Sequence, residues 1–234
     1  MAADPSRMPT PEPAAIAPLR DFWDRRYGAE DYAYGTSPND FLVAATSALP
    51  LTGARVLCLA DGEGRNGVWL ASRGARVTSL DISPAGGAKA RRLAQARGVE
   101  IETIEADVCA WDLGQSRWDL IVSIFLHLPP TPRAALHARC LRALAPGGRF
   151  VFEAYGSGQL GRGTGGPKEA SLLVSLPRLE QEAAPAVTAG TTGTAPRFDV
   201  ALRFQGERLV REGPLHDGLA EVVQWVVVAS GATP

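Results

Sequence analysis

The apolar run Val56-Leu57-Cys58-Leu59-Ala60 opens directly into Asp61-Gly62-Glu63-Gly64-Arg65-Asn66-Gly67, and a second such run ends in Asp81. A strand that feeds a glycine-rich turn brings bare backbone against a nucleotide-like ligand, where a Cβ would clash or forbid positive φ. An acid at the tip of the next strand, about 20 residues on, can accept hydrogen bonds from both ribose hydroxyls. The same glycines also satisfy the dinucleotide spacing, Gly62-x-Gly64-x-x-Gly67. Methyl donor or nicotinamide cofactor is therefore the first question that the chain poses.

From Arg55 onward apolar strands and helical stretches alternate, which predicts βαβ units and a mostly parallel sheet. Strands are expected at Arg55–Ala60, Arg76–Asp81, Val99–Glu105, Trp118–Phe125 and Arg149–Glu153. The fourth is nearly all apolar, as when helices cover both faces. Ser83-Pro84 supplies an N-cap and a first-turn proline for a helix that stops at Arg97-Gly98. Ala145-Pro146-Gly147-Gly148 reads as a tight turn feeding strand five. Gly156–Pro167 holds six glycines in twelve residues and reads as an active-site loop or lid. Ser171–Glu182 is expected to be helical and Ala183–Pro196 a flexible excursion. Two last strands, near Phe198–Val210 and Glu221–Ala229, lack a crossover helix and are expected to pair antiparallel. The expected fold is α/β, Rossmann-like and doubly wound, a seven-stranded sheet closed by an antiparallel pair. Residues 1–18, rich in Pro and Ala, are expected to be disordered, and 19–230 to form one domain. Within it, 19–50 would be a cap or lid, 55–153 the cofactor-binding core and 154–230 the substrate loop and closing strands.

Composition closes off other classes. Net charge is −1, so no global basic footprint invites nucleic acid or an anionic membrane. Lys89, Arg91, Arg92 and Arg97 share one helix and read as a solvated face. Three scattered cysteines, Cys58, Cys109 and Cys140, argue against a disulfide framework and a zinc site, so no metal is expected. No apolar run reaches the roughly 18 residues of a membrane span, and no secretory signal precedes the first strand. A cytoplasmic location is the expectation.

A third handle separates the two ligand readings. Adenine presents an exocyclic amine donor beside a ring-nitrogen acceptor, so a carboxylate next to a free backbone N–H complements that edge. Asp107 followed by Val108, just past strand three, offers the pair. A nicotinamide enzyme would also need a substrate domain, for which the tail leaves little room. The element order and these residues resemble the class I S-adenosylmethionine-dependent methyltransferases. Ala60-Asp61-Gly62-Glu63-Gly64 matches their G-x-G-x-G loop with alanine in the first place, and Pro146-Gly147-Gly148 matches the turn before strand five. The resemblance implies S-adenosylmethionine as cofactor. Gly62 and Gly64 would take its methionine part, Asp81 its ribose, and Ile82, Asp107 and Val108 its adenine, with Ala60, Asn66 and Ser123 as further cofactor contacts. Where such enzymes commonly carry an acid, this chain has Cys58; Asp61 or Glu63 could substitute.

The N-terminal segment Phe22-Trp23-Asp24-Arg25-Arg26-Tyr27-Gly28 and Tyr32–Leu42, together with Arg65-Asn66, is similar to the small bacterial tellurite-resistance and thiopurine-type methyltransferases. Phe22, Trp23 and Tyr27 fit an amphipathic helix over the sheet, while Trp23 and Tyr34 fit a lid over the sulfonium. The resemblance implies a small soft nucleophile as acceptor: a thiol, a thiopurine, or a selenium or tellurium species. Such a nucleophile needs in-line positioning and dehydration more than a base. An O- or N-methyltransferase of a small metabolite, or a catalytically silent donor-binding domain, are the alternatives. His127, after strand four, is the candidate base or acceptor-orienting group, with Glu153 at the end of strand five. His216 could reach the same mouth, Lys168 could meet an anionic acceptor, and His137 is expected on the surface. A small-molecule partner follows, and the oligomeric state is not encoded in any motif.

Overall fold

The computed structural model describes residues 13–189 and 197–230. Seven strands form one sheet in the order β3-β2-β1-β4-β5-β7-β6. They are β1 Arg55–Leu59, β2 Arg76–Asp81, β3 Glu102–Glu105, β4 Trp118–Ile124, β5 Leu144–Tyr155, β6 Arg197–Arg211 and β7 Asp217–Ser230. The first five run parallel, and β7 pairs antiparallel with both β5 and β6. The expected doubly wound sheet with an antiparallel closing pair is the fold observed.

Strand residues alternate between two apolar layers, which is why these strands read as continuous apolar runs. From β1, Leu57 and Leu59 face one layer with Ile121, Phe150, Phe152 and Trp225, covered by helices α5 (Pro130–Ala143) and α6 (Leu176–Ala189). Val56 and Cys58 face the other with Leu120, Val122 and Val151, covered by α2 (Asp40–Thr46) and α3 (Arg65–Ser72). Ser83 caps α4 (Pro84–Ala96) by accepting from the Gly86 N–H. Helix α1 (Pro13–Tyr27) docks on the start of α4, where Asp24 accepts from the Ser83 hydroxyl and the Ala85 N–H.

Several expectations shift. Residues 1–12 lie outside the described residues, but 13–18, expected to be disordered, are the first turns of α1, with Pro18 inside it. Strand β3 starts at Glu102 rather than Val99, because Gly98 (φ 66°) and the Val99 N–H, bonded to Ala94 O, finish α4. The Ala145–Gly148 turn is a bulge inside β5: its register to β4 jumps from Leu144↔Trp118 to Arg149↔Leu120. Helix α6 runs past Glu182 to Ala189 because Leu179 and Ala183 bury against the core, and the rest of the expected excursion, 190–196, lies outside the described residues. His137, expected at the surface, is buried against Phe150 and Phe152, 5.5 and 5.1 Å between ring centroids. It faces the sheet with Leu136, Cys140 and Leu141, and burial pushes its imidazole down to about 3. Lys89, expected on a solvated face, is buried and ion-paired to Glu63 at 2.7 Å.

The chain reverses its winding between β1 and β4, the neighbours where the strand order changes direction. The residues that leave these two strands, Ala60 (φ 49°) and Phe125 (φ 55°), both hold left-handed backbone that side chains disfavour. Ala60 occupies the place where a glycine would be unstrained. Replacing it with glycine is therefore expected to hold or raise stability by up to about 1 kcal/mol, whereas Ala60→Val should lower it by more than about 1 kcal/mol, read from urea unfolding.

Candidate active site

The glycine loop wraps from β1 into α3. Gly62 (φ 58°) and Gly64 (φ 85°) adopt conformations that β-carbons disfavour. A Cβ on Gly62 would lie 2.6 Å from Tyr27 Oη, so the tyrosine ring of α1 roofs the loop directly. Asp61 accepts from the Gly67 N–H (3.2 Å) and the Ser79 hydroxyl (2.8 Å), so an acid holds the loop although strand position 58 carries a thiol. Glu63 turns to Lys89 and the Tyr34 N–H.

Asp81 accepts from the Gly62 N–H through Oδ2 and the Ser83 N–H through Oδ1, both at 2.8 Å. The Ile82 N–H also approaches the carboxylate, which leaves it lone-pair capacity for a further donor. Burial raises it to about 6, opposed by those N–H donors and reinforced by Asp61. Ile82 follows, half-buried. Asp107, half-buried past β3, accepts from the Cys109 N–H at 2.9 Å. Arg139 of α5 fastens that loop by donating to the carbonyls of Val108, Cys109 and Trp111. The Ser123 hydroxyl is buried on β4 with no hydrogen-bond partner among the described residues. Trp23 stacks on Tyr27 at 5.5 Å, and Tyr34 takes a hydrogen bond from Arg26.

Two expected site residues are committed to internal contacts. Asn66 accepts from the Asn39 N–H at 2.9 Å. Glu153, fully buried, accepts from Arg208 Nε and Gln224 on Oε1 and from Asn39 and Arg208 Nη2 on Oε2. All four bonds are internal, which leaves the carboxylate no lone pair for an acceptor, contrary to the expected substrate contact. Glu212 lies beside it, paired to Arg65 (2.5 Å) and Arg208 (2.7 Å), and is held below its ordinary value by those guanidiniums against the opposing burial.

His127 stands buried beyond Phe125 at the end of β4, with the Leu172 backbone beside its imidazole. Burial pushes it down to about 4 and His216 to about 3. His216 lies 4.5 Å from Tyr34 and 5.3 Å from Tyr155. Lys168 is exposed. The sequence reading missed Tyr27 as a loop contact, and also Asn39, Arg139, Tyr155, Arg208 and Glu212. Only Tyr27 carried a signal, within the aromatic segment before β1.

Residues 56–148 match the family model described as Methyltransferase domain. A demethylmenaquinone methyltransferase of Thermus thermophilus is 36% identical over 110 residues, 46% of this chain and 50% of that protein. The chain thus spans about half the length of this curated relative. Among solved structures, the 1,6-didemethyltoxoflavin-N1-methyltransferase of Burkholderia thailandensis superposes with a TM-score of 0.62 at 20% identity, over 97% of this chain and 94% of that one. TehB from Haemophilus influenzae gives 0.61 at 17%, over 90% of this chain and 66% of its own. Residues 56–148 are thus similar to a methyltransferase domain, and the two solved structures share the fold of this chain.

Removing one partner of a buried charge network leaves the others uncompensated, at about 3–5 kcal/mol. Arg208→Met should therefore lower urea-unfolding stability by about 3–5 kcal/mol. A loss below about 1 kcal/mol, the range of exposed pairs, would show the network to be dispensable.

Proposed function

We propose that this chain is an S-adenosylmethionine-dependent methyltransferase acting on a small soft nucleophile. Asp81 carries the donor half of the reading: its remaining lone-pair capacity suits a ribose hydroxyl, beside the bare backbone of Gly62. Ala60, Gly62 and Gly64 would hold the methionine part under Tyr27, Trp23 and Tyr34. Ile82, Asp107 and Val108 would hold the adenine, on a loop that Arg139 keeps in place. When bound, S-adenosylmethionine supplies an electrophilic methyl group. Among the described residues, no helix is long and apolar enough to cross a membrane, and the near-zero net charge favours a small-molecule partner over nucleic acid.

The acceptor half rests on His127. Pushed down to about 4, its imidazole is unprotonated at neutral pH but too weakly basic to draw a proton from an alcohol. A thiol or comparable soft nucleophile needs no such help, so positioning and exclusion of water suffice. A hydroxyl acceptor is the second reading, favoured by the place of His127 beside the expected methyl position. Pairing a thiol with its hydroxyl analogue and following release of S-adenosylhomocysteine separates them. Faster turnover of the hydroxyl compound, abolished in His127→Ala, would replace the first reading with the second.

Binding of S-adenosylhomocysteine, with NADH as control, tests the donor site. Asp81→Asn should weaken it by about 10–100-fold, the about 1.5–3 kcal/mol of hydrogen bonds to a charged group. Wild-type affinity should also fall roughly tenfold from pH 7.5 to 5 as Asp81, beside Asp61 and Tyr27, gains its proton. Stability runs the opposite way. A carboxyl whose folded value lies above its unfolded one favours the fold at low pH and opposes it as pH rises through about 4 to 6. NADH binding in place of the adenosyl ligand would overturn the reading.

A further inference from the structure

Strand β6 is an outer edge of the sheet: among the described residues it pairs with β7 and with no other strand. The opposite edge, β3, is 4 residues long, whereas β6 runs for 15. An edge of that length presents a row of unpaired backbone donors and acceptors, a ready template for another strand. It carries neither proline nor lysine, two common guards of an edge. The bulge between Val200 and Leu202 leaves Leu202–Arg211 in unbroken register with β7.

Which backbone groups of β6 face outward follows from β7. Glu221 spends its N–H on Gln159 Oε1 and its carbonyl on the Gly156 N–H, on the β5 side, and the Leu219 carbonyl accepts from Thr164. Their β6 partners, Glu207 and Leu209, therefore sit in non-hydrogen-bonded pairs, with N–H and C=O turned away from β7. The period of two extends this to Arg203, Gln205 and Arg211. The Leu209 carbonyl meets Arg208 Nη1 of its own strand at 3.4 Å.

Charge selects how a second strand can lie there. Arg203 and Glu207, both exposed and on one face, stand symmetrically about Gln205. A twofold axis through Gln205 of two antiparallel β6 strands sets each Arg203 opposite Glu207 of the second copy. Directly opposite residues interact most strongly, and opposite charges favour the pairing. An axis through Arg203 or Glu207 would oppose like charges, and one through Phe204 or Gly206 would leave both charges facing neutral residues. Each charge has an exposed partner in its own chain, Glu180 for Arg203 at 2.5 Å and Arg162 for Glu207 at 2.7 Å. Exposed pairs of this kind contribute little and leave both groups able to reach across.

The other face of the strand agrees. The axis at Gln205 brings the exposed Phe204 ring opposite Gly206 of the second copy, where no side chain stands in its way. The ring already leans along its own strand, so that a Cβ on Gly206 would lie 2.9 Å from Phe204 Cζ. The two phenyl rings then meet diagonally across the axis, within reach of aromatic side chains.

We infer that two copies of this chain associate through β6, antiparallel about a twofold axis at Gln205, into one continuous sheet. The interface uses no residue of the donor site and does not depend on the methyl-transfer reading.

Sedimentation equilibrium of the full chain tests it. At tens of micromolar the wild type should sediment at twice the 24.7 kDa of one chain. Arg203→Glu opposes two acids at each pair and Glu207→Arg opposes two arginines, so each variant alone should raise the dimer dissociation constant about tenfold or more. Mixed in equal amounts, the two variants regain opposite charges at both pairs and should form a heterodimer with near wild-type affinity. That recovery also shows that both variants are folded. A monomeric wild type would overturn the inference and leave the edge to a strand of another protein. Variants that each dimerise as tightly as wild type, or that stay monomeric when mixed, would overturn it as well.

Discussion

Two carboxylates sit side by side in the core, Glu153 on β5 and Glu212 after β6, and the upper half of the molecule is organised by what neutralises them. Neither is stable there alone, because an isolated buried charge is costly. Arg208 bridges both, Arg65 takes the far oxygen of Glu212, and Asn39 donates to each through one amide nitrogen. Each partner comes from a different place: the closing hairpin, the first turn of α3, and the cap of α2. Satisfying two charges thereby fixes the hairpin, the glycine-loop helix and the N-terminal segment relative to one another.

That constraint gives the surrounding contacts their direction. Asn39 donates its backbone N–H to Asn66 and accepts from the Leu42 N–H, so one residue caps α2 and meets α3 while its amide serves the carboxylates. Arg65 directly follows Gly64, so its pairing with Glu212 also sets where α3 begins below the loop. The turn after Glu212 carries His216 over Phe125 and Tyr155. Glycine loop and ring cluster therefore hang from one electrostatic frame, and Tyr34 reaches from one to the other.

Local rules made the parallel half of the fold legible in the sequence. Apolar runs of strand length, a serine-proline helix start and a glycine stop depend on neighbours in the chain, and they located β1, β2, β4 and α4 within a residue or two. The glycine loop and Asp81 were legible for the same reason, since they end strands. What escaped depended on partners far away in sequence. Lys89 read as surface charge because its match, Glu63, lies in a loop 26 residues earlier. Glu153 read as a substrate contact because Arg208, Gln224 and Asn39, which consume its lone pairs, are 55, 71 and 114 residues away. His137 read as exposed because helical spacing alone could not say which side of α5 meets the sheet.

The two strained residues join these halves. Ala60 and Phe125 leave β1 and β4 at the point where the winding reverses, and each turns its chain sharply toward the same mouth. Phe125 is kept in that conformation by its N–H bond to the Glu153 carbonyl at 2.7 Å, on the residue whose side chain anchors the charge network. Strain of this kind persists only where the surroundings over-determine it. Here the overdetermination comes from β5: its backbone holds Phe125, its Glu153 side chain holds the frame, and Tyr155 two residues on packs its ring on Phe125. A ring placed by β4 and a ring placed by β5 are thus brought to 4.5 Å by the backbone before any ligand is present.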